Sequence, residues 1–165
     1  MAHVLDIGAG PNSHADVQID RVWFPKTTIV QDAMVETWKV FDNEFDEVRM
    51  EQFLEHCPVS IHYLKNSEWK TIYPRIHVMK EAYRVLKRGG ILHISIPNTE
   101  EAFLQDPTHS DVRPTEGMLN YFCGEWGGNT PGSFSYESYG INFKFVKTAS
   151  FVTGNVLTLS YLKEG

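Results

Sequence analysis

Ten positions separate Gly10 from Asp20, and that short interval constrains this 165-residue chain more than any other feature. Val4-Leu5-Asp6-Ile7 reads as a buried strand. The Gly8-Ala9-Gly10 that follows lets the backbone turn sharply and approach a ligand with no Cβ in the way. Val17-Gln18-Ile19 forms a second apolar-edged run, which Asp20 closes with a carboxylate. A strand, a glycine turn and an acidic strand end are the parts of a nucleoside-binding edge in an α/β protein, where the carboxylate meets ribose hydroxyls. A parallel crossover through a helix takes about a dozen residues or more. Neither 8–15 nor 21–26 is that long, so the first two connections are expected to be bare loops.

Composition excludes several classes. An apolar share of 42% and a charged share of 22% are ordinary for one folded domain over 1–165, not for a disordered or fibrous chain. No stretch approaches the roughly 18 apolar residues of a membrane span, and no basic-then-apolar leader opens the sequence, so a cytoplasmic protein is expected. Cys57 and Cys123 are too few for a disulfide framework and read as free thiols. The net charge of -6 and the scatter of Lys65, Lys70, Arg75 and Arg113 argue against a nucleic-acid surface.

Strand patterns fall at 3–7, 16–19, 27–31, 45–50 and 90–96. One helix is predicted over 74–87, with Pro74 in its first turn, Gly89-Gly90 at its end, and Ile76, Met79, Tyr83 and Leu86 as the apolar stripe. Segment 98–139 is rich in Gly, Pro and aromatics and has no dependable period. Runs 141–152 and 156–162 read as two strands joined across Thr153-Gly154-Asn155.

Four segments in order resemble the class I S-adenosylmethionine-dependent methyltransferases of the methyltransferase type 11 kind. Asp6-Ile7-Gly8-Ala9-Gly10 resembles the first motif and Gln31-Asp32-Ala33 the adenine-contacting segment. Phe45 to Met50, continuing into Leu54-Glu55-His56, resembles the fourth strand and its Leu-Glu-His extension. Tyr83-Arg84-Val85-Leu86-Lys87-Arg88-Gly89-Gly90 resembles the segment before the fifth strand, with Arg88 in place of proline. The implied fold is α/β and Rossmann-like, a mostly parallel sheet with a C-terminal antiparallel hairpin and the first crossover helices shortened or missing.

The resemblance also implies roles in cofactor binding. Gly8, Ala9 and Gly10 would flank the methionine portion of S-adenosylmethionine, Asp20 would accept from the ribose hydroxyls, and Asp32 and the Ala33 amide would meet the adenine edge. The Met50 carbonyl, just past the fourth strand, would take the ammonium, and Asp6 would stabilise the loop. A dinucleotide site is disfavoured, because it needs a helix after the glycines and an acidic residue about 20 positions on. The usual third glycine of the family is absent at Asn12 and Ser13. With the first strand starting near residue 3, no N-terminal lid is expected and the site should be open. The missing helices would leave Val22, Trp23 and Phe24 needing cover from the aromatic segment 117–139 or from a second subunit.

His56 and His109 are the candidate catalytic bases, the latter within Asp106-Pro107-Thr108-His109, where Asp106 and Thr108 are also expected to brace a turn. Phe122, Trp126, Phe134, Tyr136 and Tyr139 are aromatics that would stack on a planar acceptor or fill the core. No metal site is expected, because Asp106, His109 and Asp111 lack a second imidazole or thiolate. The sequence thus reads as a methyltransferase acting on a small-molecule acceptor, with no membrane partner, nucleic acid disfavoured and a homo-oligomer allowed. The other reading is a non-catalytic or remnant cofactor-binding module that works by assembly.

Overall fold

The computed structural model describes residues 2–110, 112–123 and 140–164. In chain order its strands are β1 (Val4–Ile7), β2 (Val17–Asp20), β3 (Ile29–Val30), β4 (Phe45–Glu51), β5 (Ile61–Lys65), β6 (Glu68–Ile72), β7 (Leu86–Pro97), β8 (Phe143–Phe145), β9 (Phe151–Thr153) and β10 (Val156–Lys163). Helix α1 (Pro74–Val85) precedes β7, and the short helices α2 (Glu100–Leu104) and α3 (Glu116–Asn120) follow it. The main sheet has the order β3-β2-β1-β4-β7-β10-β8, with β9 hairpinned onto β10. Strands β1, β2, β3, β4 and β7 are parallel, while β10 runs antiparallel to both β7 and β8.

Residues 8–16 and 21–28 form turns without helix, as the short intervals require. The sheet face that lacks those helices is not apolar, because the register fills it with polar side chains. Gln18, Asp6, Arg49, His93 and Ser160 are successive cross-strand partners on β2, β1, β4, β7 and β10. Arg49 is paired with Glu47 at 2.5 Å, and His93 Nδ1 lies 2.8 Å from Ser160 Oγ. Arg49 and His93 are half-buried there, whereas Gln18, Asp6 and Ser160 lie beneath loops, with Gln18 Nε2 donating to the Ser13 and Ala15 carbonyls and Ser160 Oγ to the Ala149 carbonyl; the face is polar, unlike the apolar faces of a fully wrapped parallel sheet. The alternate residues Leu5, Ile7, Val48, Met50, Leu92 and Ile94 are wholly buried and form the core with Val78, Met79, Ala82 and Val85 of α1.

Several expectations shift. The helix stops at Val85, so Leu86 belongs to β7, and Ile76 and Tyr83 lie at the rim of the core. Gly89 and Gly90 instead form the irregular start of β7. Gly89 has φ +79, and a Cβ at Gly90 would meet backbone oxygens of Lys87 at 2.9 Å and Asp46 at 3.1 Å. Arg84 donates to Glu81, Asp42 and the carbonyls of Trp38 and Val40. The run 141–152 is broken into β8, a 3-10 turn at Lys147–Ala149, and β9. The β5–β6 hairpin was not anticipated. Its turn residues Asn66 and Ser67 have φ of 53 and 63, the mirror-image turn that matches strand twist. Val22 and Trp23 are exposed, at 50% and 67%. Of their expected cover, segment 117–139, residues 124–139 lie outside the described residues, among them Trp126, Phe134, Tyr136 and Tyr139, as does Asp111.

Candidate active site

The carboxyl ends of β1, β2, β3 and β4 converge on a cleft of about 490 Å³. It sits where the strand order reverses between β1 and β4, the usual ligand position in open α/β sheets. Gly8, Asp20, Gln31, Asp32, Ala33, Gln52, Phe53 and His56 are among its lining residues. Asp6, Ala9, Gly10 and Met50 are not.

Each carboxylate is held by backbone. Asp20 Oδ2 accepts from the Gly10 amide at 3.0 Å and Oδ1 from the Val22 amide at 2.8 Å, so this side chain ties the glycine turn to the end of β2. Asp32 Oδ1 accepts from the Met34 amide at 3.0 Å, and Oδ2 has no hydrogen-bond partner among the described residues. Ala33 is 5% exposed, and its amide donates to nothing among the described residues. The turn is fixed from behind by wholly buried Trp38, whose indole N–H donates to the Ala33 carbonyl at 2.9 Å. Gln31 adds a bond from Nε2 to the Thr37 carbonyl at 2.6 Å.

Two expected site residues, Gly8 and Met50, sit differently from their forecast, while Asp6 sits under the loop as expected. Gly8 (φ +68) does not simply leave room for ligand, because an added Cβ there would lie 2.5 Å from Phe53 Cδ2; the Phe53 ring occupies that space. Met50 lies inside β4, which runs one residue further than expected, so the first residue past the strand is Gln52. Asp6 is buried under the loop with Ser13 and the Ile7 amide as hydrogen-bond partners, and desolvation raises its carboxyl above the ordinary value.

A second cleft of about 560 Å³ opens beside the first and shares Gln52 and His56 with it. Its other lining residues include Pro97, Ala102, Asp106, His109 and Asn155. Gln52 has φ 51, and its amide donates to the Ser95 carbonyl at 3.0 Å, which turns the chain between the clefts. The Asp106 turn is braced as expected, since Oδ1 accepts from the Thr108 amide at 2.8 Å and the Thr108 hydroxyl at 2.7 Å. His109 stacks on Phe103, with centroids 5.0 Å apart, and meets the His56 ring edge-on at 4.9 Å.

Glu55, in the 3-10 turn Leu54–His56, was not singled out from sequence. It is wholly buried, both carboxylate oxygens lack a hydrogen-bond partner among the described residues, and burial pushes its carboxyl up to about 7. Arg75 was dismissed as a scattered surface charge, yet it is 6% exposed and clamps this region. It donates to the Cys57 carbonyl, Ser110 Oγ and the Val112 carbonyl. Cys57 is a buried free thiol pushed up to about 12 by desolvation, which leaves it inert near neutrality.

No family model matches the sequence, and no curated protein does. Solved structures match over nearly the whole chain. A SAM-dependent methyltransferase from Archaeoglobus fulgidus is 18% identical, with a TM-score of 0.58, covering 97% of this chain and 85% of that one. The 1,6-didemethyltoxoflavin-N1-methyltransferase of Burkholderia thailandensis, with bound 1,6-didemethyltoxoflavin and S-adenosylhomocysteine, is 15% identical, with a TM-score of 0.59, covering 99% and 72%. The N-methyltransferase NodS of Bradyrhizobium japonicum, in complex with S-adenosylhomocysteine, is 10% identical, with a TM-score of 0.58, covering 99% and 79%. The fold is that of the class I S-adenosylmethionine-dependent methyltransferases.

Proposed function

We propose that this chain, built on the class I methyltransferase fold, binds S-adenosylmethionine in the 490 Å³ cleft and methylates a small-molecule acceptor held in the adjoining one. The observation that carries the reading is the donor set on the cleft wall. A buried, unengaged Ala33 amide stands beside an Asp32 oxygen without a partner, which complements an adenine ring nitrogen and its amino group. Asp20 spends one interaction of each oxygen on backbone and keeps lone pairs for two ribose hydroxyls.

When bound, the sulfonium supplies an electrophilic methyl group for in-line displacement. What the protein adds is position: Gln52 and His56 line both clefts, so an acceptor in the second lies next to the first without crossing bulk solvent. His56, at that junction, and His109, in the second cleft, are candidate proton acceptors. A cleft of this volume suits a small organic acceptor. One similar structure, that of the Burkholderia enzyme, holds such a compound together with S-adenosylhomocysteine.

Asp20→Ala is expected to weaken S-adenosylhomocysteine binding by about 1–3 kcal/mol, with Asp20→Asn falling between it and wild type. Calorimetric titration of the three proteins reads this directly. Equal affinities would remove Asp20 from the ribose site.

A further inference from the structure

We propose that Glu55, His56 and His109 bind one divalent transition-metal cation at the floor of the second cleft, beside the His56 that it shares with the first. One nitrogen of each imidazole and a carboxylate oxygen lie within 4.8 Å of one another. The sequence argument against a metal was the lack of a second imidazole near His109. The fold supplies it, because the Ser110 amide donates to the Glu55 carbonyl at 2.7 Å and draws the 106–110 loop onto the Leu54–His56 turn.

Hydrogen bonding fixes the tautomer of each ring. His109 Nδ1 lies 2.5 Å from the Phe103 carbonyl, which only accepts, so Nδ1 carries the proton and Nε2 keeps its lone pair. His56 Nδ1 lies 3.3 Å from the Thr108 carbonyl and 3.2 Å from Thr108 Oγ1. That hydroxyl donates its hydrogen to Asp106 Oδ1, so toward His56 it also only accepts. His56 therefore donates from Nδ1 as well, leaving Nε2 free. Imidazoles oriented in this way by carbonyl acceptors are the usual arrangement of metal-ligating histidines.

The third group is Glu55, whose two buried oxygens have no partner among the described residues. A buried carboxylate without a donor is costly, and acceptors gathered with no donor between them are completed by a cation. Asp106 Oδ2 lies 3.8 Å from His109 Nε2 and adds negative charge at the rim. Two imidazoles and one carboxylate favour zinc, iron, cobalt or manganese over calcium or magnesium. Bonds of about 2.1 Å require the ligand atoms to close by about 1 Å, within the reach of side-chain rotation.

With the ion bound, both Nε2 lone pairs are taken, so the cation, polarising an acceptor oxygen on the side of the second cleft, would act in place of the two imidazoles as proton acceptors; that use rests on the proposed methyl transfer, whereas binding of the ion does not. The test is titration of the chelator-stripped full chain with Co²⁺ alone, followed by visible absorption. The expected result is a d–d band that saturates at one equivalent and is displaced by Zn²⁺. Glu55→Gln and His109→Ala, checked for wild-type circular dichroism, should each lower Co²⁺ affinity by more than about 10-fold. If either fails to fold, the half-buried His56→Ala takes its place. No band, or a band unchanged in these variants, overturns the site, and the cluster is then closed by a proton shared among Glu55 and the imidazoles. Binding of S-adenosylhomocysteine measured in parallel keeps that failure separate from failure of the methyl-transfer reading.

Discussion

Gly8→Ala is expected to unfold this protein at markedly lower temperature and to abolish detectable cofactor binding. Two independent costs meet at that position. The backbone there has φ +68, where an L-residue with a Cβ is strained by about 1–2 kcal/mol. The new Cβ would also stand 2.5 Å from Phe53 Cδ2, and Phe53 is itself 8% exposed, so the ring has little core space to retreat into. Overpacking of this kind costs about 1–3 kcal/mol. The sum, about 2–5 kcal/mol, corresponds to roughly 4–20 °C in Tm for a chain of this length. Phe53 lines the first cleft, so a ring displaced toward it enters the space proposed for the nucleoside. Gly10→Ala is the control. Its φ is +58 but no atom lies within 4 Å of the added Cβ, so only the strain remains. Thermal melts of the two variants should differ by several degrees, and matching melts would show that the Gly8–Phe53 contact is not a constraint.

Trp38→Ala should be the most destabilising single truncation in the first half of the chain. The indole is 1% exposed within the core cluster, and truncations of this size cost about 3–5 kcal/mol. Its second task is specific to the site: the indole N–H holds the Ala33 carbonyl, and the backbone amide of Trp38 donates to Glu81 on α1 at 2.8 Å. Trp38→Phe separates the two. It keeps most of the bulk but leaves the Ala33 carbonyl without its donor, a loss of about 1–3 kcal/mol. Urea denaturation should show a modest loss for Trp38→Phe and a large one for Trp38→Ala. Calorimetry should show weakened S-adenosylhomocysteine binding even in the folded Phe variant, because the Asp32-Ala33 turn loosens. Trp38→Ala within about 1 kcal/mol of wild type would contradict the packing account.

Features governed by local chemistry could be read from the chain. The interval from Gly10 to Asp20 was too short for a helix, and the structure has none there. Within Thr153-Gly154-Asn155, the last two residues form the β9–β10 connection, with Gly154 at φ +58 and Thr153 closing β9. The helices α2 and α3 carried a usable signal that was passed over. Thr99 and Thr115 cap them by accepting from the Ala102 and Met118 amides, with Glu100, Glu101 and Glu116 in the first turns. The β5–β6 hairpin was hidden because Asn-Ser is a weaker turn signal than Asn-Gly, and both strands are largely exposed.

The sheet's polar face needed the register. Asp6, Arg49 and His93 look unrelated along the chain and become neighbours only once β1, β4 and β7 are paired. The site divides in the same way. Asp20 and Asp32 stand at strand ends where sequence could find them. Glu55, His56 and His109 meet through a loop contact spanning more than fifty residues, and Arg75, which pins that loop, reads in isolation as one more surface charge.

The central claim is a nucleoside site at the carboxyl ends of β1, β2 and β3. It is tested most directly by titrating S-adenosylhomocysteine into the wild-type chain in a calorimeter. The account predicts saturable heat at one equivalent. Flat heats up to millimolar ligand, with the protein folded by circular dichroism, would contradict it.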